Sequence, residues 1–220
     1  MGIDNTRVVG LGAGGHAKVV IEVLRLLGGY DVVGLLDADR ERWGSEVLGV
    51  PVLGDDGLLA EMYDQGIRTA FIGVGMVKSS EPRRRLYEQI RRAGFETPAA
   101  VHPQSIISPT AKIGAGPTVM AGAVINANAR VGDNVIINTG AIVEHDCVIG
   151  SHVHIATGAR LAGDVRVEEG THIGLGASVR EGIVIARNVV VGAGAVVIGD
   201  VPANVMVTGV PARIRTRLCE

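Results

Sequence analysis

Every sixth residue from Ile107 to Val197 is Ile, Val or Leu, sixteen positions in a row without one insertion. Small residues recur two positions before them, at Ala111, Ala123, Ala129, Ala141, Ala159, Ala177 and Ala195. One aliphatic residue per six does not fit a sandwich of alternating strands, which needs turns of varied length. It fits a prism with three short strands per coil, in which each coil stacks its aliphatic residue inward over the coil below. Residues eighteen apart then lie on top of one another, so the sequence itself supplies three-dimensional neighbours.

The composition agrees with a tightly wound backbone. Aromatic residues make up 3% of the 220 residues and Gly numbers 32, so the core is built from small and β-branched side chains. The net charge is −2, and the one basic run, Arg83, Arg84, Arg85, Arg91 and Arg92, reads as the solvated face of a helix, which argues against a nucleic-acid partner. No apolar run approaches the roughly 18–20 residues that span a bilayer, and the N-terminus lacks the order of a signal peptide. The expected location is the cytoplasm, without membrane association. Cys147 and Cys219 imply no disulfide framework.

Before the repeat, strand-like and helix-like patterns alternate: Arg7 to Gly10, His16 to Leu27, Val32 to Asp37, Leu59 to Gln65, Thr69 to Val74 and Arg83 to Ala93. This is the βαβ order of a small parallel, Rossmann-like sheet. Helical periodicity stops near Val101-His102-Pro103. The expected organisation is an α/β domain over 1–102, the β-solenoid over 103–200 and a tail over 201–220.

Within the solenoid, the eighteen-residue rule places His145 between Ala127 and Gly163, which predicts open space above and below the imidazole. It stacks Asp146 between Asn128 and Asp164, and Asn126 against Glu144. A carboxylate beside a histidine raises the ring's basicity and fixes its tautomer, as a general base near neutral pH requires. His154 falls under His172, with His152 expected on the same strand. Without Cys or carboxylates to complete a shell, these histidines suit a ligand's polar or phosphate groups better than a metal, and no metal is expected. A flat-faced prism has no deep cleft, so a working pocket calls for a second subunit, and a homotrimer with sites between subunits is expected.

In the first domain, Gly10-Leu11-Gly12-Ala13-Gly14-Gly15-His16 follows a strand and opens a helix, an arrangement that lets backbone N–H groups approach a phosphate. Asp37 ends the next strand, where dinucleotide folds carry a ribose-binding acid. A nucleotide without hydride chemistry fits this short domain better than a nicotinamide.

The chain resembles the bacterial sugar acyltransferases of the hexapeptide-repeat superfamily, which include the bacillosamine and perosamine N-acetyltransferases and sialic acid O-acetyltransferase-like proteins. The resemblance covers both domains. Its motifs are Gly12-Ala13-Gly14-Gly15-His16, Ile137-Asn138-Thr139 followed by Val143-Glu144-His145-Asp146-Cys147, and Gly209-Val210-Pro211-Ala212-Arg213. It implies a left-handed parallel β-helix and a trimeric enzyme. The first domain would hold a nucleotide-linked (UDP, GDP or dTDP) 4-amino-4,6-dideoxy sugar, and the solenoid would hold acetyl-CoA.

Carried over by position, His145 resembles the general base and Asp146 the acid that raises its basicity, with Asn138 in the same site. The N–H of Gly75 would stabilise the oxyanion. Gly14, Gly15, His16 and Gly73 would meet the nucleotide sugar, and Asp37 its base or ribose. His154, Leu175, Ala193 and Ile198 would border CoA. The reaction implied is direct acetyl transfer to the sugar amine, with Cys147 not acting as a nucleophile. The alternatives are O-acetylation of a sialic acid-type sugar and a non-catalytic sugar-nucleotide-binding solenoid. The chain departs from the family pattern at Val74-Gly75-Met76-Val77-Lys78-Ser79-Ser80, a longer approach to Arg83, and at Ala38, where relatives carry a second acid.

Overall fold

The computed structural model describes residues 5–76 and 79–218; Val77, Lys78 and Cys219 of the motifs above lie outside them. The chain divides into two compact units, one of Met1–Gly75 and Pro82–Pro103, the other of Met76–Glu81 and Gln104–Glu220.

The first unit is a parallel sheet with helices. Strand β1 (Thr6–Leu11) is buried from Val8 onward and pairs in parallel with β2 (Tyr30–Leu36). Between them runs α1 (Gly15–Leu27), which buries Ala17, Val20, Ile21 and Leu24 on one face. That i, i+3, i+4, i+7 spacing is what holds a short helix to a sheet, since isolated helices of this length are marginal. Gly28, at φ +69°, ends α1 and donates its N–H to Arg25 O. A hairpin of β3 (Glu46–Val47) and β4 (Val50–Gly54) follows, then α2 (Leu59–Asp64) and β5 (Thr69–Ile72), giving the sheet order β3-β4-β2-β1-β5. The hairpin is absent from the sequence expectation because its first strand has only two residues.

Helix α3 (Glu81–Arg92) corrects the reading of the arginine run as a solvated face. Arg83 shares a stripe with Tyr87 and Ile90 and is 2% exposed. Its guanidinium donates to the carbonyls of Ile72 (3.1 Å) and Val74 (2.7 Å), and burial pulls its pKa down to about 9. Arg84, Glu88 and Arg92 do form the solvated face, in i, i+4 ion pairs.

The second unit carries two-residue parallel strands every six residues, from Ile106–Ile107 to Val196–Val197. Each up to Ser178–Val179 pairs with the strand eighteen residues on, as Ile137 with Ile155 and Ile155 with Ile173. The stacked aliphatics from Val119 to Val197 are at most 4% exposed. Corners between strands are two-residue turns whose second residue is left-handed, and that position is held by Gly, Asn, Asp or His from Gly116 to Gly194. The period then shortens: Val190 pairs with Met206, sixteen residues on. The segment read as a tail contains two strands, Val205–Thr208 and Arg213–Arg217, the second antiparallel to the first.

Candidate active site

His145 and Asp146 are the two residues of a corner turn after the strand Ile142–Val143. Asp146 takes the left-handed conformation, φ +61°, which Asp adopts more readily than most residues. This twist brings its carboxylate back to its neighbour: His145 Nδ1 donates to Asp146 Oδ2 at 2.9 Å. A carboxylate only accepts, so Nδ1 carries the hydrogen, and in the neutral ring Nε2 keeps its lone pair. Asn128, one coil below, donates to Asp146 Oδ1 at 3.3 Å, and Asn126 donates to Glu144 Oε2 at 2.9 Å.

The hydrogen bond to Asp146 raises the His145 pKa above the ordinary imidazole value, helped by the charges of Asp146, Glu144 and Asp164. The same bond, with that from Asn128, holds Asp146 below the usual carboxylate range. The imidazole is 61% exposed, so Nε2 is within reach of a substrate.

One expectation about this corner is overturned. Gly163 does not leave open space beside the imidazole, because the ring occupies that space itself. A Cβ on Gly163 would stand 2.5 Å from His145 Cε1 and 2.6 Å from Nε2. Cys147, next in sequence, points into the core, donates its thiol to Ala162 O and has its pKa pushed up to about 11 by burial, so it is no nucleophile.

Asn138 stands at the preceding corner, with the strand Ile142–Val143 between it and His145. Its Oδ1 accepts from Thr139 N at 2.8 Å, which leaves Nδ2 to donate to His154 Nε2 at 3.2 Å. His154 Nδ1 donates to Met76 O at 2.6 Å, so this ring, 7% exposed, is bonded at both nitrogens. His172 stacks edge-on at 4.9 Å between ring centroids, and burial lowers its pKa. His152 is not on this strand as expected. It occupies a left-handed corner, φ +59°, beside Asn134. Among the described residues no three His, Cys, Asp or Glu come together as a metal site.

Leu175 and Ala193 lie one above the other at this same set of corners, both exposed. Ile198, 44% exposed, borders a cavity of about 220 Å³ with Val201, Val207, Ala212, Arg213 and Ile214.

In the first unit the glycines separate by cause. A Cβ on Gly12, at φ +98°, would stand 2.5 Å from Val74 Cγ2, and one on Gly73 would collide with Gly12 O. Those two glycines serve the fold. Among the described residues, Gly14 and Gly15 have nothing within 4 Å of a Cβ beyond their chain neighbours and the backbone of α1, although they open that helix. Gly75 abuts His16, with 3.7 Å from its would-be Cβ to the His16 Cβ.

Asp37 is already engaged. Its Oδ2 accepts from Ala13 N at 2.6 Å and Oδ1 from Asp39 N at 2.9 Å, while Arg42 donates to Ala13 O at 3.0 Å. The peptide groups around Ala13 are thus strapped from both sides, which fixes the approach to Gly14 and Gly15. Arg42 is a contact of this loop that the sequence reading missed.

Residues 7–90 match the PglD N-terminal domain, and residues 128–163 match the bacterial transferase hexapeptide model of six repeats. A search of curated proteins gives no match. Among solved structures, PerB from Caulobacter crescentus, in complex with CoA and GDP-perosamine, is 44% identical. The alignment covers 95% of this chain and 97% of that one, with a TM-score of 0.88. The chain belongs to the bacterial sugar acyltransferases of the hexapeptide-repeat superfamily.

The acyltransferase fold extends to the acetyltransferase domain of PglB from Neisseria gonorrhoeae, 38% identical over 96% of this chain and 100% of that one, with a TM-score of 0.87. That domain has also been solved with acetyl coenzyme A. WeeI from Acinetobacter baumannii is 28% identical over 96% of this chain and 100% of that one, with a TM-score of 0.82. The solenoid accordingly winds as a left-handed parallel β-helix. Two structures of the Caulobacter acyltransferase carry Asn or Ala in place of a histidine.

Proposed function

We propose that this protein transfers acetyl from acetyl-CoA directly to the amino group of a nucleotide-linked 4-amino-4,6-dideoxy sugar, with His145 as general base. The observation that carries this reading is the 2.9 Å bond from His145 Nδ1 to Asp146, which leaves an exposed, basic Nε2.

The neutral sugar amine attacks the thioester carbonyl carbon, and His145 Nε2 accepts the proton that the nitrogen loses. The resulting imidazolium is stabilised by Asp146. The tetrahedral intermediate then expels the CoA sulfur as the C–S bond breaks, and the proton on Nε2 passes to it. A hydrogen-bond donor to the oxyanion, for which the family pattern gives Gly75 N–H, contributes on the order of 3 kcal/mol. Gly14 and Gly15, with open space beside them among the described residues, suit the close approach of a diphosphate to the start of α1. Leu175, Ala193 and Ile198 offer exposed apolar surface for the CoA arm.

The working form is a homotrimer. His145 and Asn138 stand at successive corners of one prism, separated by a strand, and a site that uses both needs the corner of a second copy. Both substrates are cytoplasmic metabolites, and the enzyme acts there.

The test is a thiol-release assay with acetyl-CoA and a panel of GDP-, UDP- and dTDP-linked 4-amino sugars. GDP comes first because PerB was solved with GDP-perosamine. Turnover with an amino sugar that falls by 10²-fold or more in His145→Ala supports the reading. Turnover confined to hydroxyl acceptors favours O-acetylation, no turnover with any acceptor favours a binding module, and undiminished turnover in His145→Ala removes the base.

A further inference from the structure

We infer that Gly163 is the positioning residue that seats the His145 imidazole against Asp146. The role assigned to His145 above is the reading on which this rests.

The corner turns repeat every six residues, and their first position, from Ala115 to Ala193, carries Ala, Asp, Thr, His, Ser, Glu, Leu or Arg, with Gly at 163 alone. Nothing in the backbone requires it. Gly163 does not have the left-handed φ that the second turn positions share, so an L side chain is conformationally admissible there. The interior does not require it either, because this position faces outward in every coil, as the exposed His145 does.

The atoms nearest to a side chain at 163 belong to one group. The three nearest atoms to its Cβ are Cε1, Nε2 and Nδ1 of His145, at 2.5, 2.6 and 3.2 Å. The two coils are held at fixed separation by the bond from Asp164 N to His145 O, 2.9 Å, so the backbone cannot yield. With a methyl group at 163 the ring must rotate away by more than an ångström. Its Nδ1 then leaves the Asp146 carboxylate, which the turn geometry of Asp146 and the Asn128 hydrogen bond keep in place. Gly163 therefore sets three properties of the base: its rotamer, its Nδ1–H tautomer and the direction of its Nε2 lone pair.

The experiment compares the full-length wild type with Gly163→Ala, reading the histidine rings by ¹⁵N NMR without substrate, with His145 assigned from the His145→Ala spectrum. The expected result is that Gly163→Ala lowers the His145 pKa toward the ordinary imidazole value and mixes its tautomers, as Asp146→Asn does. In parallel kcat falls on the order of 10²-fold, the scale of an ångström misplacement. An unchanged His145 pKa and tautomer in Gly163→Ala overturns the inference, even where the KM for acetyl-CoA rises, since the glycine would then serve the thioester alone.

Because this readout needs no turnover, it stands apart from the function proposal. If His145→Ala keeps full activity, the base assignment fails while the seat is still measured. Should Gly163→Ala not fold, the pair His145→Ala/Gly163→Ala decides: folding restored by removing the ring supports a collision with the ring, and failure in both backgrounds overturns it.

Discussion

The glycines at the start of α1 allow a perturbation in which stability and binding move in opposite directions. Gly15 is the first residue of the helix, and among the described residues nothing beyond its chain neighbours and the backbone of α1 lies within 4 Å of where a Cβ would stand. Replacing it by Ala restricts the unfolded chain and adds helix propensity, together about 0.5–1 kcal/mol in favour of folding. For a unit of this size that raises the unfolding temperature by roughly 2–8 °C.

If the space beside Gly15 is where a diphosphate approaches the backbone, the same methyl group removes at least one charge-assisted hydrogen bond, about 1.5–3 kcal/mol. That weakens binding by roughly 10- to 150-fold. Calorimetric titration with GDP, UDP and dTDP, alongside differential scanning, reads both effects on one sample. Gly12→Ala is the contrasting control: its left-handed φ and its 2.5 Å approach to Val74 predict a loss of stability instead. Nucleotide binding undiminished in Gly15→Ala would refute the argument, because nothing in the protein itself then explains the open glycine.

Three further outcomes follow from the second unit. Asp146→Asn keeps the left-handed turn, which Asn also accepts, but removes the charge that raises the His145 pKa. A general base works only when deprotonated, so the acidic limb of the kcat/KM profile moves to lower pH, and an unmoved limb denies Asp146 its tuning role. Ile137→Ala, fully buried and stacked between Val119 and Ile155, costs about 2–5 kcal/mol in urea unfolding. Cys147, buried and with its pKa at about 11, stays unmodified by a thiol reagent under native conditions and reacts once the chain is unfolded, as peptide mass mapping would show.

The solenoid was legible from sequence because its period is unbroken: a single inserted residue would have destroyed the eighteen-residue register that paired Asn126 with Glu144 and Asn128 with Asp146. The same rule named Gly163 as the neighbour of His145 and misjudged why. A repeat fixes which coil lies above which; it does not fix which way a side chain leans, and the imidazole leans into the vacancy. Asp37 shows the same gap, since its place at the end of β2 was legible and its use as a strap on Ala13 was not. Arg83 was misread for a different reason. Burial overrides polarity when two carbonyls at the end of a strand can take up the guanidinium hydrogens. The final strands escaped notice because the last coil is two residues short, so the period that revealed the others ends before them.

Those last strands bear on how such a molecule stays dispersed. A stack of parallel coils ends in an open row of backbone donors and acceptors, a template on which further chains could add without limit. Here the Val205–Thr208 edge is covered by Arg213–Arg217, which runs the opposite way and so breaks the parallel ladder. It turns three arginines, Arg213, Arg215 and Arg217, to solvent along the new margin. An incoming parallel strand would meet reversed polarity and a row of positive charge. On this one of the solenoid's three faces, the short return strand closes the ladder to a further parallel strand.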